Sequence, residues 1–356
     1  MLVVVGLAGL VRAQEGHFQP GRLAVLRAGD GRLDLNRRQS AVFVDEFTTN
    51  DLAQAAAFSV RIPTNGANSF FFNGHAGTEG TLTRSMNGRL LAFAGYGGVD
   101  LLQVNGTASR LDIQRGYATL DAAGQLHTYL YHSKMTDAKL IPRGVATDGT
   151  NHFWGGGNTF GTFYHEPGAS NDPVRFTAFP NSRSVRIIEG ALYANMNAAD
   201  GFLIDQPAGI YAFEPLALPR ATNTLAKLVL QTAPEYAKAA AFDINPAGNL
   251  AYVADTAEGI QKYVKTNGAW KLAYNLRIPQ NIPKKLNAGA GCFGLTVDFR
   301  GATPLLFATT TEGYGGSVNS NRVVRILDTG ATAQVATLAQ AGSTNIAYRG
   351  IAFTPQ

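Results

Sequence analysis

A diffuse internal repeat constrains the fold of this chain more than any other feature of its sequence. Each copy has an apolar strand, a tight turn that contains glycine, and a second apolar strand that ends in small residues. In the clearest copy, residues 239–255, the turn Asn245-Pro246-Ala247-Gly248 separates the two strands. Proline presets φ early in such a turn, and glycine accepts the positive φ that closes it. The other copies have their turn glycines at Gly88, Gly149, Gly190 and Gly301.

A second pair of strands follows these copies, so the sequence predicts four strands in each unit. Residues 259–264, the turn Asn267-Gly268 and residues 270–278 are one example. Four short antiparallel strands in every 40–60 residues, roughly, are typical of a β-propeller blade. We therefore expect an all-β fold that is a single β-propeller. Six blades are favoured, and seven are possible if residues 98–142 contain another.

The two ends of the chain complement each other. Residues 348–355 read as the first strand of a unit that has no second strand, and residues 22–27 read as a second strand that has no first. Pairing of the C-terminal strand with the N-terminal blade would close the ring and remove exposed sheet edges, which promote aggregation. Helical patterns are weak, and the two candidates are the short alanine-rich segment 51–58 and the segment 221–230.

One repeat also carries a family resemblance. The segment Asp243-Ile-Asn-Pro-Ala-Gly-Asn-Leu-Ala-Tyr-Val-Ala-Asp255, followed by Gly259-Ile-Gln-Lys-Tyr263, resembles the core of NHL and YVTN-type β-propeller repeats. The whole chain also resembles secreted bacterial propeller proteins. The resemblance implies a propeller whose sites lie on one face, around a central channel. It implies no single activity, because such folds include binding proteins, scaffolds, lyases and hydrolases.

The N-terminal residues predict export. Leu2 to Leu10 form a short apolar run, and Val11-Arg12-Ala13 supplies a small-residue cleavage site. The run is shorter than the roughly 20 residues that a membrane helix needs, and no other segment is long and apolar enough. We expect a signal peptide at residues 1–13, a propeller domain at residues 14–356, and a secreted protein, extracellular or periplasmic. The alternative is that the run is a buried first strand.

Charge limits the partners that the sequence predicts. The net charge is +5, yet no run of Lys and Arg exceeds two residues, which disfavours nucleic acid. We expect a monomer whose partner is a polysaccharide or a surface protein, with an anionic partner as one option. The alternative interpretation of the charge is a mildly basic secreted protein with no polyanionic partner. The single cysteine, Cys292, excludes an intrachain disulfide, so core burial must hold the fold together.

Arginines are the leading candidates for ligand binding. Two loops that lead into innermost strands end in Arg143-Gly144 and Arg349-Gly350. A guanidinium group can bind a carboxylate or sulfate through two parallel hydrogen bonds. The alternative is that each arginine binds backbone carbonyls between neighbouring blades. The full predicted set for substrate binding is Arg143, Arg349, Arg183, Tyr314 and Lys285.

Candidate catalytic residues are fewer and less specific. His75 and Glu79, four residues apart, fit a base and its partner. His132 beside Tyr131 fits a base and an acid for β-elimination from a uronate, and Tyr348 is a further candidate. For each histidine the alternative is an ordinary loop residue.

Metal-binding patterns are weak. The six histidines show no HxH or HExxH spacing, which disfavours zinc. We expect no cofactor, although the oxygen-bearing side chains of Asn195, Asn197, Asp200 and Asp205 leave calcium possible.

These observations favour a secreted or cell-surface propeller that binds a glycan or protein ligand through loops around the channel. The alternative is an extracellular enzyme, a polysaccharide lyase or hydrolase, that acts on an acidic polysaccharide. A structural module without a ligand is the third possibility.

Overall fold

The structure is a computed structural model, and its regular elements are all β-strands. No helix occurs within the residues that it describes. Those residues are 16–35, 39–74, 77–100, 113–131, 141–158, 161–169, 173–176, 181–196, 207–214, 216–233, 238–279, 291–312 and 320–356.

The first third of the chain contributes eight strands to one continuous sheet. They are β1 (Leu23–Ala28), β2 (Gln39–Phe47), β3 (Phe58–Arg61), β4 (Phe70–Asn73), β5 (Thr83–Arg84), β6 (Leu91–Gly97), β7 (Gln114–Leu120) and β8 (Leu126–Tyr131).

The next sixteen strands form four separate antiparallel sheets of four strands each, and in each sheet the strands pair in chain order. The first two sheets contain β9 (Pro142–Thr147), β10 (Phe153–Gly157), β11 (Thr162–His165), β12 (Val174–Arg175), β13 (Ser182–Ile188), β14 (Ala191–Met196), β15 (Gly209–Glu214) and β16 (Leu225–Gln231). The other two contain β17 (Ala239–Ile244), β18 (Leu250–Asp255), β19 (Gly259–Thr266), β20 (Ala269–Leu276), β21 (Cys292–Asp298), β22 (Leu305–Thr310), β23 (Arg322–Leu327) and β24 (Val335–Gln340).

The last strand, β25 (Ala347–Phe353), returns to the beginning of the chain and pairs antiparallel with β1. Leu23 lies opposite Phe353, and Val25 lies opposite Ile351. The pairing of the two chain ends that the sequence predicts is therefore present. With β25 added, the first sheet has nine strands on the path β25-β1-β2-β4-β6-β7-β8, with β3 beside β2 and β5 beside β6.

Apolar clusters join the sheets face to face. Between the sheets β9–β12 and β13–β16, the buried side chain of Trp154 packs in one cluster with Leu192 and Phe213. Equivalent clusters lie between the sheets that follow in chain order, and another joins β21–β24 to the strands β25 and β1. Stacking of successive sheets around an axis is the β-propeller arrangement, so this part of the predicted fold is confirmed.

The innermost strands approach one another closely at the axis. Small residues from five of these segments surround a space of about 10 Å³, roughly one water molecule. At Gly350 an added Cβ would lie 2.2 Å from the Leu82 nitrogen, so a side chain there would collide with backbone. The small residues at the axis include Thr81, Ser184, Ala241, Gly294 and Gly350.

Most of the turn glycines predicted from the sequence are found in turns of the structure, whereas neither of the two helix candidates is a helix. Gly88, Gly149, Gly190 and Gly248 all have positive φ, between +66° and +92°, whereas the fifth predicted turn glycine, Gly301, does not. The helix suggested for residues 221–230 is wrong, because Leu225–Gln231 is the outermost strand of its sheet and pairs with β15. Residues 51–58 form no helix either. The predicted signal peptide lies outside the described residues.

Because β25 closes the ring, we expect its core residue Ile351 to be critical for stability. Ile351 is 1% exposed and packs with Phe307 and Val323. Ile351→Ala should lower the free energy of unfolding by about 2–5 kcal/mol, measured by urea denaturation. Leu225→Ala on exposed β16 is the matched control and should change it by less than about 0.5 kcal/mol. Equal losses in the two variants would contradict the importance of the closing strand.

Candidate functional site

Three of the arginines predicted to bind ligand lie at the same end of neighbouring innermost strands. Arg143 and Arg183 are the second residues of β9 and β13, and Arg349 is the third residue of β25. The Gly350 amide donates to the Gly80 carbonyl at 2.8 Å, and the Thr81 amide donates to the Arg143 carbonyl at 3.3 Å. The segment 79–81 therefore lies between β25 and β9.

Arg183 lies on β13, the innermost strand next to β9. A Cβ on Gly144 would lie 2.8 Å from the Arg183 carbonyl oxygen, so β13 contacts β9 directly. The side chains of Arg143, Arg183 and Arg349 are all buried, with at most 5% exposed. The fold thus collects at one end of the axis three guanidinium groups that are up to 206 positions apart in the sequence.

Arg349 is held by backbone carbonyls. Its Nη2 donates to the carbonyl oxygens of Asn73 at 2.9 Å and Gly74 at 3.2 Å. Its guanidinium carbon also lies 5.3 Å from the centroid of the Phe72 ring, a cation–π contact. These contacts match the second interpretation of this arginine, in which it joins neighbouring parts of the ring.

Glu79 is the carboxylic acid at the centre of this group. Its Oε2 accepts the Asn73 amide at 2.9 Å, and its Oε1 accepts the Tyr96 hydroxyl at 3.0 Å. Complete burial raises the pKa of Glu79 to about 7, although the positive charges of Arg349 and Arg143 oppose the shift. A carboxyl group with this pKa can give or take a proton near neutral pH, as general acid–base catalysis requires.

Two residues of this group were missed by sequence reasoning. Tyr96 is fully buried, and burial together with the neighbouring Glu79 raises its pKa well above the usual value. Arg115 is also fully buried, its Nη1 donates to the Ile113 carbonyl at 2.7 Å, and its guanidinium carbon lies 5.8 Å from the Tyr96 ring centroid. Arg115 could have been found from the sequence, because Arg115-Gly116 repeats the dipeptide seen at Arg143-Gly144 and Arg349-Gly350.

We call Arg115, Arg143, Arg183 and Arg349, together with Glu79 and Tyr96, the arginine cluster. Arg349 and Arg143 act electrostatically on Glu79, and Arg115 and Arg143 act on Tyr96. Arg143 also donates to the Asn181 side chain, two residues before Arg183. Among these six side chains, four guanidinium groups face one carboxyl group whose pKa is about 7, a positive balance that suits an anionic ligand.

The other predicted residues do not join the cluster or lie outside the described residues. Tyr348 is on the face of β25 opposite Arg349, where its ring packs edge-on against Phe47 at 5.6 Å between centroids, and burial raises its pKa. Its catalytic role stays a prediction. His75, His132, Lys285 and Tyr314 lie outside the residues that the structure describes.

Below the cluster, the axis is blocked by a side chain. Arg186 forms an ion pair with Asp243 at 2.8 Å, and its Nη2 donates to the Leu295 carbonyl at 3.2 Å. The three residues come from three successive sheets, so Arg186 reaches across the axis. With only about 10 Å³ of free space there, a ligand can reach the cluster only from its own end of the ring.

Neither a metal site nor a membrane span emerges from the described part of the chain. No group of three or more His, Cys, Asp or Glu side chains in this part is close enough to hold a metal ion. Asn195 holds inner strands together, through the Ser184 amide at 2.6 Å and the Ala239 carbonyl at 2.9 Å. Asn197, Asp200 and Asp205, on which the calcium alternative depends, lie outside it. Nor does it contain a helix that is long and apolar enough to cross a membrane.

Comparison with known proteins supports the fold and leaves the family open. No protein-family model matches the chain, and no curated protein matches it. Among solved structures, a chain of a nidogen–laminin complex is similar over 92% of this chain and 97% of its own length, with a TM-score of 0.53 and 10% identity. The periplasmic gluconolactonase of Pseudomonas aeruginosa is 15% identical, over 90% of this chain and 83% of its own, with a TM-score of 0.47. The likeness to the first shows a β-propeller fold and no more.

We expect the raised pKa of Glu79 to make stability depend on pH. The usual pKa of this carboxyl group is 4.5, and its pKa in the folded protein is about 7. Between these two pH values, Glu79 in the folded protein keeps a proton that the unfolded chain has released. The free energy of unfolding should therefore fall by roughly 3 kcal/mol as the pH rises through this window. Urea denaturation at pH 4.5, 6 and 7.5 measures this loss.

The variant Glu79→Gln removes the titrating group and should flatten that part of the pH profile. Glu189→Gln, on an exposed turn between β13 and β14, is the matched control and should keep the slope of the unmodified protein. An unchanged slope in Glu79→Gln would contradict the assignment.

Proposed function

We propose that this chain is a secreted propeller that binds an acidic polysaccharide at the arginine cluster. The observation that supports this most directly is the burial of Arg143 and Arg349 beside a single carboxyl group with a pKa of about 7, with the buried Arg183 at the same end of β13. Guanidinium groups that packing holds in place lose little freedom when they bind carboxylates, so the site is prepared for an anion. The apolar run at residues 2–10 supports the part of the proposal that says the protein is secreted.

The geometry of the axis favours one end of a polymer chain or one exposed loop as the ligand. Because Arg186 blocks the axis below the cluster, a polysaccharide cannot thread through the ring. A surface protein that presents acidic side chains is the alternative ligand. The matched chain of the nidogen–laminin complex shows that a ring of this kind can take part in a protein complex.

The ring that carries this site has, in our proposal, six blades. Six of the seven apolar clusters of the described residues support the number, since each packs one group of strands against the next. The seventh, which contains Phe71, Tyr96 and Ile113, lies at the nine-stranded sheet itself. The cluster within the nine-stranded sheet joins Ala24 and Val42 of β1 and β2 to Leu91 and Phe93. Such face-to-face packing divides that sheet into two blades bridged by β4. An experimental structure with another number would refute the proposal.

Catalysis on the same ligand is the second candidate, and Glu79 is the observation that favours it. Once ionised, Glu79 can take the proton next to a uronate carboxylate while arginines neutralise that carboxylate. The released electron pair forms a carbon–carbon double bond and the bond to the glycosidic oxygen breaks. The Tyr96 hydroxyl protonates that leaving oxygen and regains a proton from Glu79. The release of unsaturated ends, followed by their ultraviolet absorbance, tests this candidate. Binding without release on every polysaccharide tried would reject it.

Binding is tested with a panel of polysaccharides. We expect polygalacturonate, alginate or hyaluronate to bind and neutral dextran not to bind, measured by isothermal titration calorimetry. Arg143→Gln and Arg183→Gln should each weaken binding at least tenfold, roughly the loss of one charge-assisted hydrogen bond. Arg325→Gln, on β23 and away from the cluster, is the matched control. Equal affinities for all three variants would refute the location of the site.

The protonation of Glu79 also predicts how affinity varies with pH. At pH 6 Glu79 is mostly neutral, and at pH 8 it carries a negative charge that repels an anionic ligand. A polyuronate is ionised at both values, so it should bind about three- to tenfold tighter at pH 6. Glu79→Gln should remove the difference in calorimetric affinity. A dependence on pH that survives in this variant would show that another group is responsible.

A further inference from the structure

A pocket of about 550 Å³ lies at the end of the axis opposite the arginine cluster. It is bounded where β5, β21 and β25 end, at Arg84, Asp298 and Phe353. The cluster lies where innermost strands begin, so the two sites face opposite sides of the ring. Arg186 and the narrow axis separate them.

One side of the pocket holds a fixed guanidinium group. The Nε of Arg84 donates to the Gly88 carbonyl at 3.2 Å, and neither Nη atom has a hydrogen bond to another described residue. Gly88 has φ of +76°, and a Cβ there would lie 2.4 Å from Arg84 Nη2. The turn glycine thus makes room for the guanidinium group, and its backbone orients it.

Among the side chains that line the pocket, two arginines, Arg84 and Arg300, face one aspartate, Asp298. Arg300 forms two hydrogen bonds with Asp298, at 2.9 and 2.7 Å, so these charges compensate each other. Within the described residues no carboxylate forms an ion pair with Arg84. Arg84 is about half buried, and burial together with Arg300 lowers its pKa. A negatively charged group in the pocket would favour the charged guanidinium and so offset this lowering of the pKa.

The opposite wall is apolar. Val297 is buried, and Phe299 and Phe353 are partly buried, so each presents some apolar surface at the pocket. Phe353 is braced by the Phe307 ring, with 5.9 Å between the centroids. A cavity of roughly 150 Å³ holds benzene, so this pocket has room for a larger aromatic group. An apolar lining with a few placed polar groups is typical of small-molecule sites.

We propose that this pocket binds a small organic acid with an aromatic body. Its carboxylate pairs with the Nη atoms of Arg84, and its ring packs against Val297, Phe299 and Phe353. The pairing of a planar carboxylate with two parallel N–H donors explains why an arginine occupies this position. Because the axis is blocked, this ligand binds independently of the anion at the arginine cluster.

The probes are 2-naphthylacetate, its neutral amide 2-naphthylacetamide, and inorganic sulfate, each titrated calorimetrically into the full chain. We expect the acid to bind with a dissociation constant of about 1 mM or tighter, and at least tenfold tighter than the amide or sulfate. Equal binding of acid and amide would overturn the role of the charge. Equal binding of acid and sulfate would overturn the role of the apolar wall.

Two variants test whether the acid binds beside Arg84. Arg84→Met keeps the apolar stem and should weaken binding of the acid at least tenfold, whereas Arg89→Met, on the same turn but outside the pocket lining, should leave it unchanged. Thermal melting checks that both variants fold. Loss of affinity in both, or in neither, would overturn the proposal. If Arg84→Met fails to fold, the comparison of acid and amide on the unmodified protein still decides it.

Discussion

The innermost strands of this ring come so close together that backbone meets backbone, and the rest of the structure depends on that approach. A Cβ added to Gly294 would lie 2.5 Å from the Arg349 carbonyl oxygen, and one added to Gly350 would lie 2.2 Å from the Leu82 nitrogen. Small residues are therefore required at the axis. Successive side chains of a strand point to opposite sides, so the residue before each small one is free of this restriction. Arginine fills that place at 143, 183 and 349.

This arrangement lets the same side chains hold the ring together and place positive charges at one end of the axis. Arg349 binds the carbonyls of Asn73 and Gly74, and so links the closing strand to the next part of the sheet. The two interpretations of the arginines that the sequence allowed, as links between blades and as ligands for an anion, are therefore compatible. Glu79 makes the cluster sensitive to pH, because burial keeps its carboxyl partly protonated near neutrality.

Local features could be read from the sequence, and features that depend on distant residues could not. The positive φ of Gly88 and Gly248 followed from turn chemistry, and the pairing of β25 with β1 followed from two incomplete units at the chain ends. The strand Leu225–Gln231 was misread as helix because its pairing with β15 leaves no local pattern in an exposed outer strand. The hydrogen bond between Glu79 and Tyr96 and the pocket at Arg84 arise from packing between strands, which periodicity does not encode.

Closure of the ring by β25 has a consequence for biosynthesis. On the ribosome, β1 emerges long before the strand that completes its hydrogen bonding, and roughly 320 residues must be added in between, which takes tens of seconds. During that time the nascent chain presents an unpaired sheet edge next to apolar side chains that will later contact Ile351. Such an edge is a template for association with other chains. Until β25 leaves the ribosome, association at this edge competes with closure of the ring.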